Sequence, residues 1–172
     1  MPDEHALVFD TPIGRLRLVA SADGALARID FHATEPISKR PRIAATIPAL
    51  AHAVEELGAY FAGDLRAFTV PLTPVGTTFQ LAVWEEVAKV PYGETATYGE
   101  IARRIGKSPG TSRAVGAANG QNPLPIMIPC HRIIGGNGDL TGYGGGLSIK
   151  EALLELEHRH HRPEGGQMIL GA

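Results

Sequence analysis

Residues 97–132, TYGEIARRIGKSPGTSRAVGAANGQNPLPIMIPCHR, decide how the rest of the chain is read. Thr97-x-x-Glu100 is a capping box, in which the threonine hydroxyl covers one orphan helix amide and the glutamate reaches back to another. It opens a short helix with Ile101, Ala102 and Ile105 on one side. Gly106 to Gly110 breaks that helix, and Thr111 or Ser112 is expected to cap a second one running through Asn119. Two short helices joined by a glycine-containing turn, with basic residues on both, make a helix-turn-helix candidate. Beyond Asn122-Pro123, the apolar run Pro125-Ile126-Met127-Ile128-Pro129 is bracketed by prolines, which bias the residues before them toward extended backbone. A buried extended segment is expected there, delivering Cys130-His131-Arg132 at its end.

Upstream, Leu16 and Leu18 alternate with Arg15 and Arg17, the period of a half-buried strand. Asp23-Gly24 supplies a hairpin turn, and Leu26, Ile29 and Phe31 suggest a returning strand whose alternation slips by one. Residues 33–48, with three prolines, read as a loop. Ala49 to Phe61 carries Leu50, Val54, Leu57 and Phe61 at helical spacing, with Gly63-Asp64 as the stop. Leu65 to Gly76 reads as a strand followed by a linker. Thr77-x-x-Gln80 is another capping box, before Phe79, Val83, Trp84 and Val87, and Trp84 is assigned to the core. A last helix is expected to open on Ser148-x-x-Glu151 and to carry Leu153, Leu154 and Leu156, followed by a frayed tail from Arg162. The expected fold is α/β (α+β). A small N-terminal sheet domain with a helix spans 1–76, and a mainly helical domain with the helix-turn-helix and the cysteine spans 77–172.

Composition narrows the classes. With 172 residues, 44% hydrophobic and 20% charged, the chain is a globular protein of one domain or two small ones. Met1-Pro2-Asp3-Glu4 is acidic where a secretory signal is basic, and no apolar run nears the length of a membrane span, so an intracellular, cytoplasmic protein is expected. Net charge is −2, which argues against DNA binding through overall charge. The distribution differs from the average: residues 101–132 hold Arg103, Arg104, Lys107, Arg113 and Arg132 and no acid. A phosphate-binding face needs local positive potential, not a basic protein.

The chain has one cysteine, so neither an internal disulfide nor a Cys-rich zinc site is available. The thiol is either inert and buried or reactive. Among Met127, Ile128 and Pro129 its pKa should rise by desolvation, so reactivity requires a base. His131 is adjacent, yet neighbours in an extended segment face opposite ways, so direct contact is not assured and a relay through water is an open alternative. A carboxylate must then orient the imidazole, and Glu157 on the last helix is a candidate. His158, His160 and His161 read as a solvated helix end, and no metal site is expected.

Ile126-Met127-Ile128-Pro129-Cys130-His131-Arg132, with Asn122-Pro123 before it, resembles the active-site signature of the O6-alkylguanine-DNA alkyltransferases. The resemblance extends from about Phe79 to Glu157. It implies a DNA repair protein that moves an alkyl group from a flipped O6-alkylguanine in duplex DNA to its own cysteine, once, without a cofactor. Residue by residue, it makes Cys130 the acceptor, His131 the base acting through water, Glu157 the carboxylate behind it, and Asn122 the support of the thiol. Tyr98 would bond the guanine, Tyr143 would lie in the loop that closes over it, and Lys150 and Arg132 would line the substrate site. Arg113 would be the finger that fills the gap left by the extruded nucleotide. The same likeness places the narrow helix of Ala114, Gly116 and Ala117 in the minor groove, with Arg103, Arg104 and Lys107 on phosphates, and a monomer is expected. Ala152 stands where a tryptophan is common in the family, a change read as core packing. The alternatives are a lesion-binding or regulatory helix-turn-helix protein that transfers nothing, and a thiol hydrolase that turns over.

Overall fold

A computed structural model describes residues 5–37 and 47–161. Residues 1–4, most of the loop expected over 33–48, and the tail from Arg162 lie outside the described residues.

Three antiparallel strands, β1 (Ala6–Thr11), β2 (Gly14–Ala20) and β3 (Leu26–Asp30), form a sheet in sequential order. Leu16 and Leu18 are fully buried, while Arg15 and Arg17 turn outward to Asp10 at 3.0 Å and Asp30 at 3.1 Å. β1 is absent from the sequence reading because Leu7, Val8 and Phe9 are all buried and do not alternate. Its register sets Leu7 opposite Leu18 and Phe9 opposite Leu16. The slip read after Gly24 corresponds to a bulge at Val19/Ala20, which shifts the pairing of β2 with β3.

Helix α1 (Pro48–Phe61) lays Leu50, Ala53, Leu57 and Tyr60 into the core. Each buried leucine there contributes about 2 kcal/mol. Pro48, expected in the loop, occupies the start of the helix, where a missing amide hydrogen costs nothing. Gly63, at φ 82°, ends the helix as expected. The strand expected after Leu65 does not form. Leu72 makes a single parallel bridge to Leu26, because Pro71 and Pro74 lack the donors a ladder needs. The Glu56 carboxylate holds this stretch instead, accepting from the Thr69 and Val70 amides at 2.8 and 3.1 Å.

In the second half, α2 (Thr78–Ala88) and α3 (Tyr98–Arg104) both start on complete capping boxes. Trp84 is core, and its indole donates to the Ala118 carbonyl at 2.8 Å, fastening α2 to α4 (Ser112–Gly120). Gly76 lies under the indole, where a Cβ would come within 2.6 Å of the ring. A 3-10 turn (Pro109–Thr111) leads into α4, which has no side-chain N-cap. Ser112, one of the expected caps, turns its hydroxyl back to the Pro109 carbonyl. Helix α5 (Leu147–His160) starts on Gly146 at φ 98°, so Ser148 already lies inside the helix and the expected box is not made. Ala152 is exposed on α5, contrary to the packing role expected of it. Two-residue strands β4 (Ala96–Thr97) and β5 (Ile133–Ile134) pair in parallel, placing the start of α3 beside the residues that follow Cys130. One hydrophobic core continues through both halves. No described helix is long and apolar enough to cross a membrane.

Candidate active site

Residues 124–130 are not the extended segment expected. Ile126 takes a left-handed φ of 74°, rare for a β-branched residue, and Ile128 donates back to the Leu124 carbonyl at 2.9 Å. Asn122 holds the turn: its carbonyl oxygen accepts from the Leu124 amide at 2.9 Å, and its amide donates to the Ile128 carbonyl at 2.8 Å. The turn delivers Cys130, 4% exposed, as the first residue of a 3-10 turn (Cys130–Arg132). Asn119, not singled out in the sequence, donates from α4 to the Cys130 carbonyl at 3.2 Å.

Behind the thiol is a buried polar cluster. His131, with no exposed surface, bonds through Nε2 to Glu157 Oε1 at 2.8 Å. Since a carboxylate only accepts, Nε2 carries the hydrogen and Nδ1 is left as the basic nitrogen. Nδ1 has no hydrogen-bond partner among the described residues. Arg132, expected to line the substrate site, is committed here. Its guanidinium grips both Glu157 oxygens at 2.7–3.1 Å and donates to the Val90 carbonyl at 2.7 Å. Tyr60, from the last turn of the sheet-packing helix α1, donates to the same carboxylate at 2.9 Å. A tyrosine on the buried stripe of a helix needs a partner for its hydroxyl, and this was the one signal in the sequence for its role.

These contacts set the protonation states. Burial pushes the Cys130 thiol up, opposed by the Asn122 amide, the Lys150 charge and the Tyr143 hydroxyl, so the resting group is a thiol. Burial pushes His131 down, against the pull of Glu157, so the imidazole is neutral. Burial also works to raise Glu157, but the His131 and Arg132 hydrogen bonds and charges outweigh it and hold the carboxyl at about 2. The resting arrangement is therefore a protonated sulfur, a neutral base and a carboxylate ready to stabilise an imidazolium.

Cys130 opens on a cavity of about 260 Å³, lined also by Asn122, Pro125, Tyr143 and residues 29–32. One wall is the glycine-rich loop 142–146. The Tyr143 hydroxyl is buried, has no hydrogen-bond partner among the described residues, and interacts with the Cys130 thiol. Lys150 is fully buried at the base of this loop, donating to the Ile133 and Thr141 carbonyls at 2.6 and 3.1 Å. A second depression shares Gly120, Gly142 and Tyr143 with the first and extends to Tyr98, Gly116 and Arg113. The Tyr98 hydroxyl accepts from Thr141 Oγ1 at 3.1 Å. Arg113, Ala114 and Ala117 are exposed on α4, as are Arg103, Arg104 and Lys107 at and beyond the end of α3. The sequence-derived residues therefore fall into a group around Cys130 and a set of exposed cationic residues on and after α3 and on α4, with Arg132 withdrawn into the core. Among the described residues no group of His, Cys, Asp and Glu is placed to hold a metal ion.

Comparison with known proteins identifies the family. The family model for the 6-O-methylguanine DNA methyltransferase DNA binding domain matches residues 78–159, and that for the ribonuclease-like domain matches 6–74. A methylated-DNA–protein-cysteine methyltransferase of Mycolicibacterium paratuberculosis is 50% identical over 157 residues, covering 88% of this chain and 90% of its own. One from Methanosarcina acetivorans is 48% identical over 151 residues, covering 87% and 96%. A crystal structure of Mycobacterium tuberculosis OGT in complex with DNA superposes with a TM-score of 0.79 at 44% identity, covering 93% of this chain and 96% of that one.

Proposed function

Because the chain belongs to the 6-O-methylguanine DNA methyltransferase family, we propose that it repairs DNA by taking the alkyl group of an O6-alkylguanine onto Cys130 in one irreversible turnover. The observation that carries this reading is the buried thiol that opens on a cavity and is backed by the His131–Glu157 pair. A thiolate is the soft nucleophile that displacement at saturated carbon needs, and burial makes it costly unless a base takes the proton. His131 Nδ1 takes it through a bound water, and Glu157 stabilises the imidazolium. The sulfur–carbon bond forms as the carbon–O6 bond breaks. The departing guanine takes a proton from Tyr98 as it returns to the lactam, and the thiol proton left on His131 restores the tyrosine through solvent, so that no net charge is left. Asn122 supports the sulfur, Tyr143 closes over the base and Lys150 holds the foot of the loop. The product thioether does not give the alkyl group up again, because that would expel a thiolate from unactivated carbon, and the chain has no second thiol to accept it.

The target carbon lies inside the base stack, so the nucleotide must be extruded at a cost of about a few kcal/mol. Arg113 fills the space it leaves. The small residues Ala114, Gly116 and Ala117 let α4 approach the minor groove, and Arg103, Arg104 and Lys107 meet phosphates without reading sequence. We take 1–76 and 77–172 as the two domains of a cytoplasmic protein acting as a monomer. Arg113→Ala should slow the reaction on duplex DNA about tenfold or more while leaving the reaction with free alkylated base unchanged. Equal losses on the two substrates would argue against this role, with single-turnover rates as the measurement.

The function itself is tested by following a labelled methyl group from an O6-methylguanine duplex. Label should leave the DNA for the protein until each chain holds one, and then stop. DNA binding without transfer would mark a lesion-binding protein. Sustained turnover on an ester or thioester would mark a hydrolase.

A further inference from the structure

The N-terminal half reaches the cavity through a short segment that the reaction just described does not use. The Ile29 amide donates to the Pro123 carbonyl at 2.9 Å, pinning the end of β3 to the turn behind Cys130. Two residues later the chain turns to the loop in front of the sulfur. His32 adopts a left-handed φ of 54°, uncommon outside glycine, and its Nε2 bonds the Gly145 carbonyl at 2.9 Å. Phe31 packs its ring on Gly145 so closely that a Cβ there would come within 3.1 Å of it. The same ring stands 5.6 Å from the Tyr143 ring, centroid to centroid, and both rings line the cavity that contains Cys130. One strand end therefore holds both sides of the thiol's cavity, and a strained residue is kept in place to do it.

We propose that Phe31 and His32 latch the Gly142–Gly146 loop and so determine how large an alkyl substituent reaches Cys130. Phe31 is a wall of the space beside the sulfur, and through Gly145 and Tyr143 it limits how far the loop retreats. His32 fixes the loop backbone at Gly145. A methyl group fits without movement of either. A flat, bulky substituent needs the room that the Phe31 ring occupies or a loop free to withdraw. The N-terminal half is thus a specificity element for the transferred substituent, in addition to packing against the half that carries Cys130. This rests on alkyl transfer to Cys130.

The test compares single-turnover rates on two duplexes identical except for O6-methylguanine or O6-benzylguanine, read as the benzyl-to-methyl ratio. Phe31→Ala should raise the ratio roughly tenfold, the scale on which a hydrophobic pocket discriminates by size. His32→Ala should raise it by a smaller factor, and Phe31→Trp should lower it. Damage to the fold or to DNA binding slows both substrates together and leaves the ratio unmoved, so the ratio isolates the latch. If Phe31→Ala fails to fold, the opposite change expected of Phe31→Trp decides the matter. Ratios within about twofold of wild type across the folded variants would overturn the proposal. Wild-type protein that accepts neither group would instead overturn the alkyl-transfer reading on which it rests.

Discussion

Replacing Glu157 with glutamine is expected to slow alkyl transfer on the order of a hundredfold and to lower the melting temperature by about 10 °C. Both effects come from one carboxylate, 1% exposed, that serves His131, Arg132 and Tyr60 together. The amide cannot neutralise the buried guanidinium of Arg132, and breaking a buried ion pair by removing one partner costs about 3–5 kcal/mol. It also offers His131 either an oxygen or an NH2 group. In the second orientation the imidazole hydrogen moves to Nδ1, the nitrogen that has to accept the proton from Cys130. The pH dependence of stability follows the same group. Its folded pKa of about 2 lies below the ordinary 4.5, so the stabilisation is fully present above about 4.5 and is lost as pH falls toward 2. That difference corresponds to about 3 kcal/mol. His131, kept neutral by burial, acts in the same direction from a higher pH, since the unfolded chain binds its proton first. Thermal melts between pH 6 and 3 should therefore fall less steeply for Glu157→Gln than for wild type, and parallel curves would contradict the assignment.

Cys130→Ala should abolish transfer while leaving binding to the alkylated duplex intact. Transfer vanishes because the sulfur is the only thiol in the chain, and no neighbouring hydroxyl matches its nucleophilicity toward saturated carbon. Binding survives because the turn around residue 130 is held by backbone groups and amides, not by the sulfur. The Cys130 amide donates to the Ile128 carbonyl at 2.7 Å, its carbonyl accepts from Asn119, and Asn122 fixes the preceding turn. Alanine keeps these contacts and removes one buried atom that prefers to stay neutral. Gel shift and label transfer, measured on the same preparation, separate the two consequences. Transfer to the variant would mean another nucleophile, and lost binding would mean that the sulfur holds the DNA-facing surface in shape.

The residues around Cys130 were legible to the extent that their chemistry is local or carried by the signature. A thiol in an apolar run needs a base, the base needs a carboxylate, and His131 and Glu157 meet at 2.8 Å across 26 positions of sequence. Arg132 misled because adjacency to the cysteine says nothing of direction: a 3-10 turn sends its guanidinium to Glu157 and Val90. Tyr60, Phe31 and His32 come from elements far away in sequence, and only the docking of the sheet half on the catalytic half brings them to the site. In the fold, alternation identified β2, while β1 was invisible to it because both of its faces are covered. The prolines that announced an extended run before Cys130 mark a tight turn, since Asn122 supplies the partners that a strand neighbour would otherwise provide.

The most direct measurement is peptide mapping of the protein after incubation with an excess of O6-methylguanine duplex, together with base analysis of the recovered DNA. A single S-methylcysteine at position 130, in every chain, matched by an equal quantity of restored guanine, is the predicted result. Restored guanine with Cys130 unmodified, or methyl groups on any other side chain, would contradict the account.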